Sequence, residues 1–556
     1  MSASTVPSAK GEAPVRVEKN EFETEEVDIS ALGENVEEKV LRGSSAYAEA
    51  MLSSPPKPFT RIAIHLYMIA FVALLAGAMG GIDESIMGSL LVMTPFQETF
   101  GTQVNGSKAG IITALFQIGS VISLPFIGES LDRYGRRFGL FIGSLFVVLG
   151  SVLQGTSART NGLTQFYVGR IFIGFGSTIA LSAGPTYVVE IAHPAYRGVL
   201  TALQSGTQNF GGLLGAITTR FTLHFNDNTS WLIPVWLQII PSSIIVLSVW
   251  FLPESPRWLY THGSTEKAFD FLTKFHGEGD RNNPFVRLQI AEFESDLDLN
   301  GSDKRWWDYR GLIRTRADRY RLMNNLVFTA WGALSSGGIG YYIGAFYESA
   351  GITNQTTILN YNLGNCVQGS ISSIIGSYLC DFAGRRTVLL TTLAGICLSW
   401  LGCTVASAVV SNNSSNSAAG KAGIAFFLLF NIVYCVGMTP LQGIYATEVL
   451  SYEQRAKGTA VSNFVGNVLG LVTQFGTPVA LEKIGWKTYV IWTIWNGVEF
   501  GISYIIHVET KGYTLEELDQ VFASSNPRRE STRRRHVLVT NDMVIAEAKC
   551  AEDEGC

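Results

Sequence analysis

The chain is poor in what soluble enzymes and nucleic-acid binders are made of. Charged residues are only 16% of its 556 positions, and a net charge of −5 with no large basic patch excludes a nucleic-acid partner. None of the seven cysteines (Cys366, Cys380, Cys397, Cys403, Cys435, Cys550 and Cys556) forms a CxxC pair, and most fall in apolar runs. That pattern fits membrane-core thiols rather than a disulfide framework or a zinc site. No nucleophile, metal-ligand or nucleotide motif stands out, so no catalytic residue, metal or cofactor is assigned and the chain is not expected to be an enzyme. There is no basic start followed by an apolar core, so residues 1–58 are not a cleaved signal peptide. Their acids (Glu21, Glu23, Glu25, Glu26, Asp28, Glu37 and Glu38) mark a disordered cytoplasmic tail.

What is abundant is apolar sequence. Hydrophobic residues make up 47% of the chain, and its 57 glycines and 32 phenylalanines suit closely packed membrane helices. Runs of about 20 mostly apolar residues fall at 61–91, 109–128, 138–154, 166–189, 200–221 and 231–252, and again at 324–347, 357–379, 387–410, 423–446, 461–481 and 489–507. The predicted fold is an all-α membrane protein with twelve transmembrane helices in two pseudo-symmetric six-helix bundles, 59–252 and 322–507. A cytoplasmic helical linker (253–321) joins them, and a cytoplasmic tail (508–556) follows. Positive charge at Arg133, Arg136, Arg137, Arg197, Arg385, Arg386 and Arg455 puts the loops bearing it on the cytoplasmic side. The glycosylation sequons at Asn105, Asn228, Asn354, Asn412 and Asn413 then fall in outward loops.

A charged loop occurs twice. GESLDRYGRR (128–137) recurs as SYLCDFAGRR (377–386), which aligns Asp132 with Asp381, Arg136 with Arg385 and Arg137 with Arg386. Tyr187, Glu190 and Arg197 recur with the same spacing as Tyr445, Glu448 and Arg455, and PESPRWL after the sixth run is echoed by VETKG after the twelfth. Repeated hydrophobic halves of this kind are the signature of duplicated transporters. The aspartates are placed to accept hydrogen bonds from a neighbouring helix N-terminus and to pair with arginine. Asp132, Arg133, Arg136, Arg137, Glu190, Arg197, Glu254 and Arg257, with Asp381, Arg385, Arg386, Glu448, Arg455 and Glu509, are the predicted conformational latch.

Charges inside spans mark functional sites, because desolvating them is costly. Asp83 lies in the first span and Arg170 in the fourth. Facing each other, they form either a protonation switch or a permanent ion pair between helices. Glu499 in the last span, near Asn496, reads as a packing residue.

GIDESIMG, DRYGRR, GRIFIGFG, E-x6-RG, PESPRWL, DFAGRR and VETKG together resemble the sugar porter family of the major facilitator superfamily, over 59–522, and in particular fungal members of the lactose and cellodextrin permease type. The resemblance implies that Asp83 is a protonatable carboxylate partnered by Arg170. It also implies that two bundles rock about a central site, and that the plasma membrane is the location. The family lines its site with glutamines in the fifth and seventh spans. Here Ser205 and Gly212 stand at those places in the fifth, and the seventh, WGALSSGGIGYYIG, has no Gln or Asn, so a sparse polar lining is expected. The candidate contacts are Gln204, Gln208, Ser335, Ser336, Tyr341, Tyr342, Gln442, Asn463 and Asn467. The reading is proton-coupled uptake of a mono- or disaccharide, with the proton, the bilayer and a small molecule as partners. The alternatives are a polyol, organic acid or secondary metabolite as cargo, or a nutrient sensor, which the short tail after Thr510 disfavours.

Overall fold

A computed structural model describes residues 57–102, 106–160, 162–300, 309–336, 339–349, 352, 354–412, 417–451, 455–511 and 515–532, with 5–6, 15–16, 536–540 and 543–548 from the tails. The first half of the chain builds α1 (Arg61–Leu90), α2 (Thr94–Phe100), α3 (Ser107–Gly128), α4 (Arg136–Thr160), α5 (Leu163–Ile191), α6 (Arg197–Thr222), α7 (Thr229–Leu237) and α8 (Ile239–Ser248). The linker holds α9 (Pro256–Thr261), α10 (Thr265–Phe275) and α11 (Pro284–Asn300). The second half holds α12 (Arg316–Leu334), α13 (Ile343–Ser349), α14 (Gln355–Ala383), α15 (Arg385–Asn412), α16 (Ser417–Val449), α17 (Arg455–Ile484) and α18 (Lys487–Ile506), followed by α19 (Leu515–Ala523) and α20 (Pro527–Ser531).

Two predicted spans are broken. The run at 231–252 splits after Leu237 because Pro241 has no N–H to donate to the Leu237 carbonyl four residues back. The run at 324–347 begins earlier, at Arg316, where Thr315 and Asp318 form a reciprocal capping box, and its helix stops at Leu334. After the helix-poor sequence Ser-Ser-Gly-Gly the chain resumes as a 3-10 turn, Ile339–Tyr342, leading into α13. The fold is helical as expected, apart from two short tail hairpins that pair Thr5–Val6 antiparallel with Val15–Arg16, and His536–Thr540 with Met543–Ala548.

Eight described helical segments are long and apolar enough to cross a bilayer: α1, α3, α4, α5, α15, α16, α17 and the run Thr229–Phe251 that holds α7 and α8. Helices α6, α12, α14 and α18 fall outside that set. Helices α6 and α14 carry Gln208, Asn209, Asn362 and Asn365 toward a cavity, whereas α12 opens on the charged residues Arg316, Asp318, Arg319 and Arg321.

Within each half the helices pack on their sequence neighbours and near-neighbours. Between halves the principal contacts are α3 against α17 and α6 against α14. The duplicated loops align α3 with α14 and, by chain order, α6 with α17, so these two contacts are one contact repeated by a pseudo-twofold axis. The apolar core follows the same division. One cluster joins the halves at the end away from the charged loops, with Leu90, Met93 and Trp231 packed in common with Tyr342, Phe346 and Trp400. At the charged end the core is two separate clusters, one per half. The linker belongs to the first of these. Phe271 and Leu272 of α10 enter its core, and the ring nitrogens of the buried His276 bond the Ile191 carbonyl at 3.0 Å and Gln289 Oε1 at 2.8 Å.

Candidate functional site

A cavity of about 830 Å3 lies between the halves. Helix α3 contributes Gln117, and α6 contributes Gln208 and Asn209. From the second half, α14 gives Asn362 and Asn365, α16 gives Asn431 and Gln442, and α17 gives Asn463, Asn467 and Gln474. Hydroxyls of Thr329, Ser336, Tyr341, Tyr434 and Thr459 complete the polar wall. The expectation of a sparse lining is therefore overturned. Beside the expected Gln442, Asn463 and Asn467, amides absent from the sequence reading come from Gln117 of α3, Asn362 and Asn365 of α14, Asn431 of α16 and Gln474 of α17.

Of the predicted contacts, Gln208, Ser336, Tyr341, Gln442, Asn463 and Asn467 do line the cavity. Gln204, Ser335 and Tyr342 do not. Gln204 lies against Gly77 of α1. Ser335 is buried, its hydroxyl donating to the Trp331 carbonyl at 2.7 Å. The lining amides are partly pre-arranged by one another: Asn431 Nδ2 donates to Asn365 Oδ1 at 2.7 Å, and Asn467 Nδ2 to the Asn463 carbonyl at 2.8 Å.

Asp83 and Arg170 do meet. Arg170 Nη1 lies 2.6 Å from Asp83 Oδ1, with both side chains at most 1% exposed. Arg170 Nε donates to the Ile112 carbonyl at 3.1 Å, and its guanidinium stands 5.1 Å from the Phe116 ring centroid, so the pair locks α1, α3 and α5 together. The lock is incomplete. Asp83 Oδ2 and Arg170 Nη2 are buried without a hydrogen-bond partner among the described residues. Glu499 is buried within the second half, away from the cavity lining, and neither of its oxygens has a hydrogen-bond partner among the described residues.

At the end away from the charged loops, hydrogen bonds tie the halves together. Tyr342, carried on the 3-10 turn, bonds Thr113 of α3 and donates to the Gln474 carbonyl of α17. Asn362 Nδ2 donates to Ser89 Oγ at 2.9 Å, Arg220 reaches Asn360, and Gln355 reaches Thr94. Tyr342 is thus part of a plug rather than of the lining.

The charged end is built twice from the same parts. Glu254 accepts the backbone N–H groups of Arg136 (3.1 Å), Arg137 (3.4 Å) and Ser255 (3.0 Å). Glu509 accepts those of Arg385 (2.8 Å), Arg386 (3.1 Å) and Thr510 (3.1 Å). The N–H groups of Arg136, Arg137, Arg385 and Arg386 are the free ones that open α4 and α15, where a carboxylate also meets the positive helix end. Arg136 bonds Glu190 at 2.9 Å, as Arg385 bonds Glu448 at 2.9 Å. Arg137 Nε caps the Val249 carbonyl, and Arg386 Nε that of His507. Tyr187 donates to the Pro253 carbonyl as Tyr445 does to Val508. Burial pushes the Glu254 carboxyl above the ordinary glutamate range, with the backbone N–H groups of Ser255, Arg137 and Arg136 pulling the other way.

Glycine is required at the two turns. Gly135 and Gly384 have φ of 100° and 91°, and a Cβ there would sit 2.5 Å from Glu254 Oε2 and 2.7 Å from Glu509 Oε2.

The expected role of Asp132 as a helix-N-terminus acceptor needs correction. The Asp132 side chain is 77% exposed and pairs, among the described residues, with Arg136 at 3.4 Å; Glu254 occupies the helix N-terminus assigned to it. Arg133 pairs locally with Glu129 on the surface. The hydrogen bonds of Glu254 and Glu190 described above lie within the first half, and those of Glu509 and Glu448 within the second. Arg257 sits half-buried in α9. The side chains of Arg197, Asp381 and Arg455 lie outside the described residues, as do Asn105 and Asn413. Three described sequons lie at the plug end: Asn354 caps α14, Asn412 is exposed at the end of α15, and Asn228 Oδ1 accepts from Thr99 and Trp231; a further sequon, Asn300, ends the linker helix α11.

Comparison with known proteins bears on the whole chain. The high-affinity glucose transporter of Kluyveromyces lactis is 27% identical over 489 residues, covering 83% of this chain and 86% of that one. The quinate permease of Emericella nidulans is 26% identical over 499 residues, covering 85% and 91%. In structure, the inward-open xylose transporter XylE from E. coli superposes with a TM-score of 0.66 at 19% identity, covering 82% of this chain and 99% of that one, which establishes a shared fold. The model of the family described as sugar (and other) transporter matches residues 69–522. Members of this family are multi-pass membrane transporters, not enzymes. Duplicated halves, an amide-lined chamber between them and a match over most of the sequence lead to one conclusion: the chain belongs to the sugar porter family of the major facilitator superfamily.

Proposed function

We propose that this protein is a proton-coupled carrier for uptake of a neutral mono- or disaccharide across the plasma membrane, by alternating access of twelve spans with the charged loops in the cytoplasm. The observation that carries the reading is the amide-lined cavity. Its volume falls within the roughly 300–1,000 Å3 of small-molecule sites. Each amide both donates and accepts, which matches the hydroxyls of a sugar, and each hydroxyl buried unmatched would cost about 1–3 kcal/mol. Closure at the plug and separate cores at the charged end describe the inward-facing state.

Coupling resides in Asp83 and Arg170. With Asp83 ionised, the pair holds α1 to α3 and α5. A proton on Asp83 removes the charge attraction and leaves Arg170 to the Ile112 carbonyl and the Phe116 ring, which frees α1 to move. The spare oxygen Oδ2 is the acceptor for that proton. Cytoplasmic networks around Glu254 and Glu509 keep each half rigid while the halves rock.

An organic acid as cargo is disfavoured, because no Lys, Arg or His is among the described residues of the lining. The test is uptake of labelled glucose, xylose, lactose, a polyol and quinate in yeast lacking its own sugar carriers, with and without protonophore. Protonophore-sensitive uptake of a sugar supports the proposal; good surface expression with quinate as the sole cargo overturns it.

A further inference from the structure

Glu84 follows Asp83 and faces the other way. Successive residues of a helix point about 100° apart, so burying Asp83 against α3 and α5 turns Glu84 into the cavity, which it lines. Its carboxylate borders the plug: a Cβ added to Gly340 would lie 3.0 Å from Oε1. Among the described residues no hydrogen bond or ion pair is made by either oxygen, and no basic side chain lines the chamber. Arg170, the cation of this layer, is committed to Asp83. A lone carboxylate in a chamber of amides has no partner among the described residues to explain it, and its exposure is to the chamber between the two halves.

We infer that Glu84 is a specificity-determining residue, accepting hydroxyl hydrogens from a neutral polyhydroxylated cargo and turning away cargoes that bear a carboxylate. The inference rests on the sugar reading above and adds the residue that sets its selectivity. A carboxylate is acceptor-only, and hydrogen bonds to it are roughly twice as strong as those between neutral groups. The amides of Asn362 and Gln208 in the same lining supply the donors. A like charge brought beside an ionised Glu84 is repelled, which is discrimination by an unfavourable contact rather than by fit. Because the carboxylate touches the plug segment at Gly340, a cargo held by it sits where the two halves close.

The test measures glucose and xylose uptake by the full-length carrier, Glu84→Gln and Glu84→Asp in carrier-deficient yeast, with quinate as competitor and surface expression verified. Glu84→Gln should raise KM about tenfold or more while leaving the maximal rate per carrier within about twofold, the pattern of lost cargo binding rather than lost turnover. Sugar uptake by that variant should also become sensitive to quinate, whereas the wild type and the charge-conserving Glu84→Asp should stay insensitive. Unaltered KM and continued indifference to quinate in Glu84→Gln would remove this inference and leave the sugar reading standing. Quinate uptake without sugar uptake by the wild type would overturn both.

Discussion

Asp83→Asn separates binding from energy coupling. The substitution keeps the size of the side chain and one acceptor for Arg170 Nη1, but removes the titratable charge of a pair that is almost fully buried at 2.6 Å. Removing one partner of a buried ion pair costs about 3–5 kcal/mol in general; the retained oxygen, the Ile112 carbonyl and the Phe116 ring reduce that loss here. The carrier should therefore fold, with a lowered unfolding temperature that Arg170→Gln in the same molecule partly restores. The functional change should be far larger. Moving one elementary charge through 100 mV is worth about 2.3 kcal/mol, and at about 1.4 kcal/mol per decade this sustains roughly fifty-fold accumulation of cargo. In cells energised to that extent the variant should plateau at about the external concentration, while counterflow of preloaded sugar continues. Accumulation at the wild-type plateau in Asp83→Asn, with expression matched, would refute coupling through this pair.

Other consequences follow from the same geometry. Gly135→Ala and Gly384→Ala place a Cβ against Glu254 and Glu509 at a left-handed turn; each should lose about 1–3 kcal/mol of stability and slow transport with little change in KM, read by thermal unfolding and initial rates. Tyr342→Phe removes the hydroxyl that bonds Thr113 and Gln474 across the plug, so about 1 kcal/mol of closure is lost and a thiol reagent added outside should reach Cys366, which lines the cavity, several times faster. Gln208→Ala and Asn463→Ala should each raise the KM for a transported sugar about five- to tenfold, whereas Gln204→Ala, which points away from the cavity, should not.

How much of this was legible in the sequence depended on whether a residue's meaning was local. The Asp-Gly-Arg-Arg loops repeat in sequence, so the two halves and their symmetric networks could be read directly. Asp83 and Arg170 were legible as well, since charges within apolar runs have few reasons to exist. The lining was not. Asn362, Asn365, Asn431 and Gln474 each lie in a span where an amide serves helix packing equally well, and only the packing of α3 on α17 and α6 on α14 gathers them around one space. Asp132 was misassigned for a related reason. Glu254 is far away in sequence, and only the fold places it, rather than the nearer carboxylate, at the start of α4. Glu84 was hidden by its neighbour: only the helix shows Asp83 buried against α3 and α5 while Glu84 lines the cavity.

The most direct test of proton-coupled sugar uptake is the pH of a lightly buffered suspension of carrier-deficient yeast expressing this protein, followed as sugar is added. The account predicts transient alkalinisation of the medium on adding a transported mono- or disaccharide, stoichiometric with uptake and absent in Asp83→Asn. Sugar uptake that proceeds at full rate with no proton movement would contradict it.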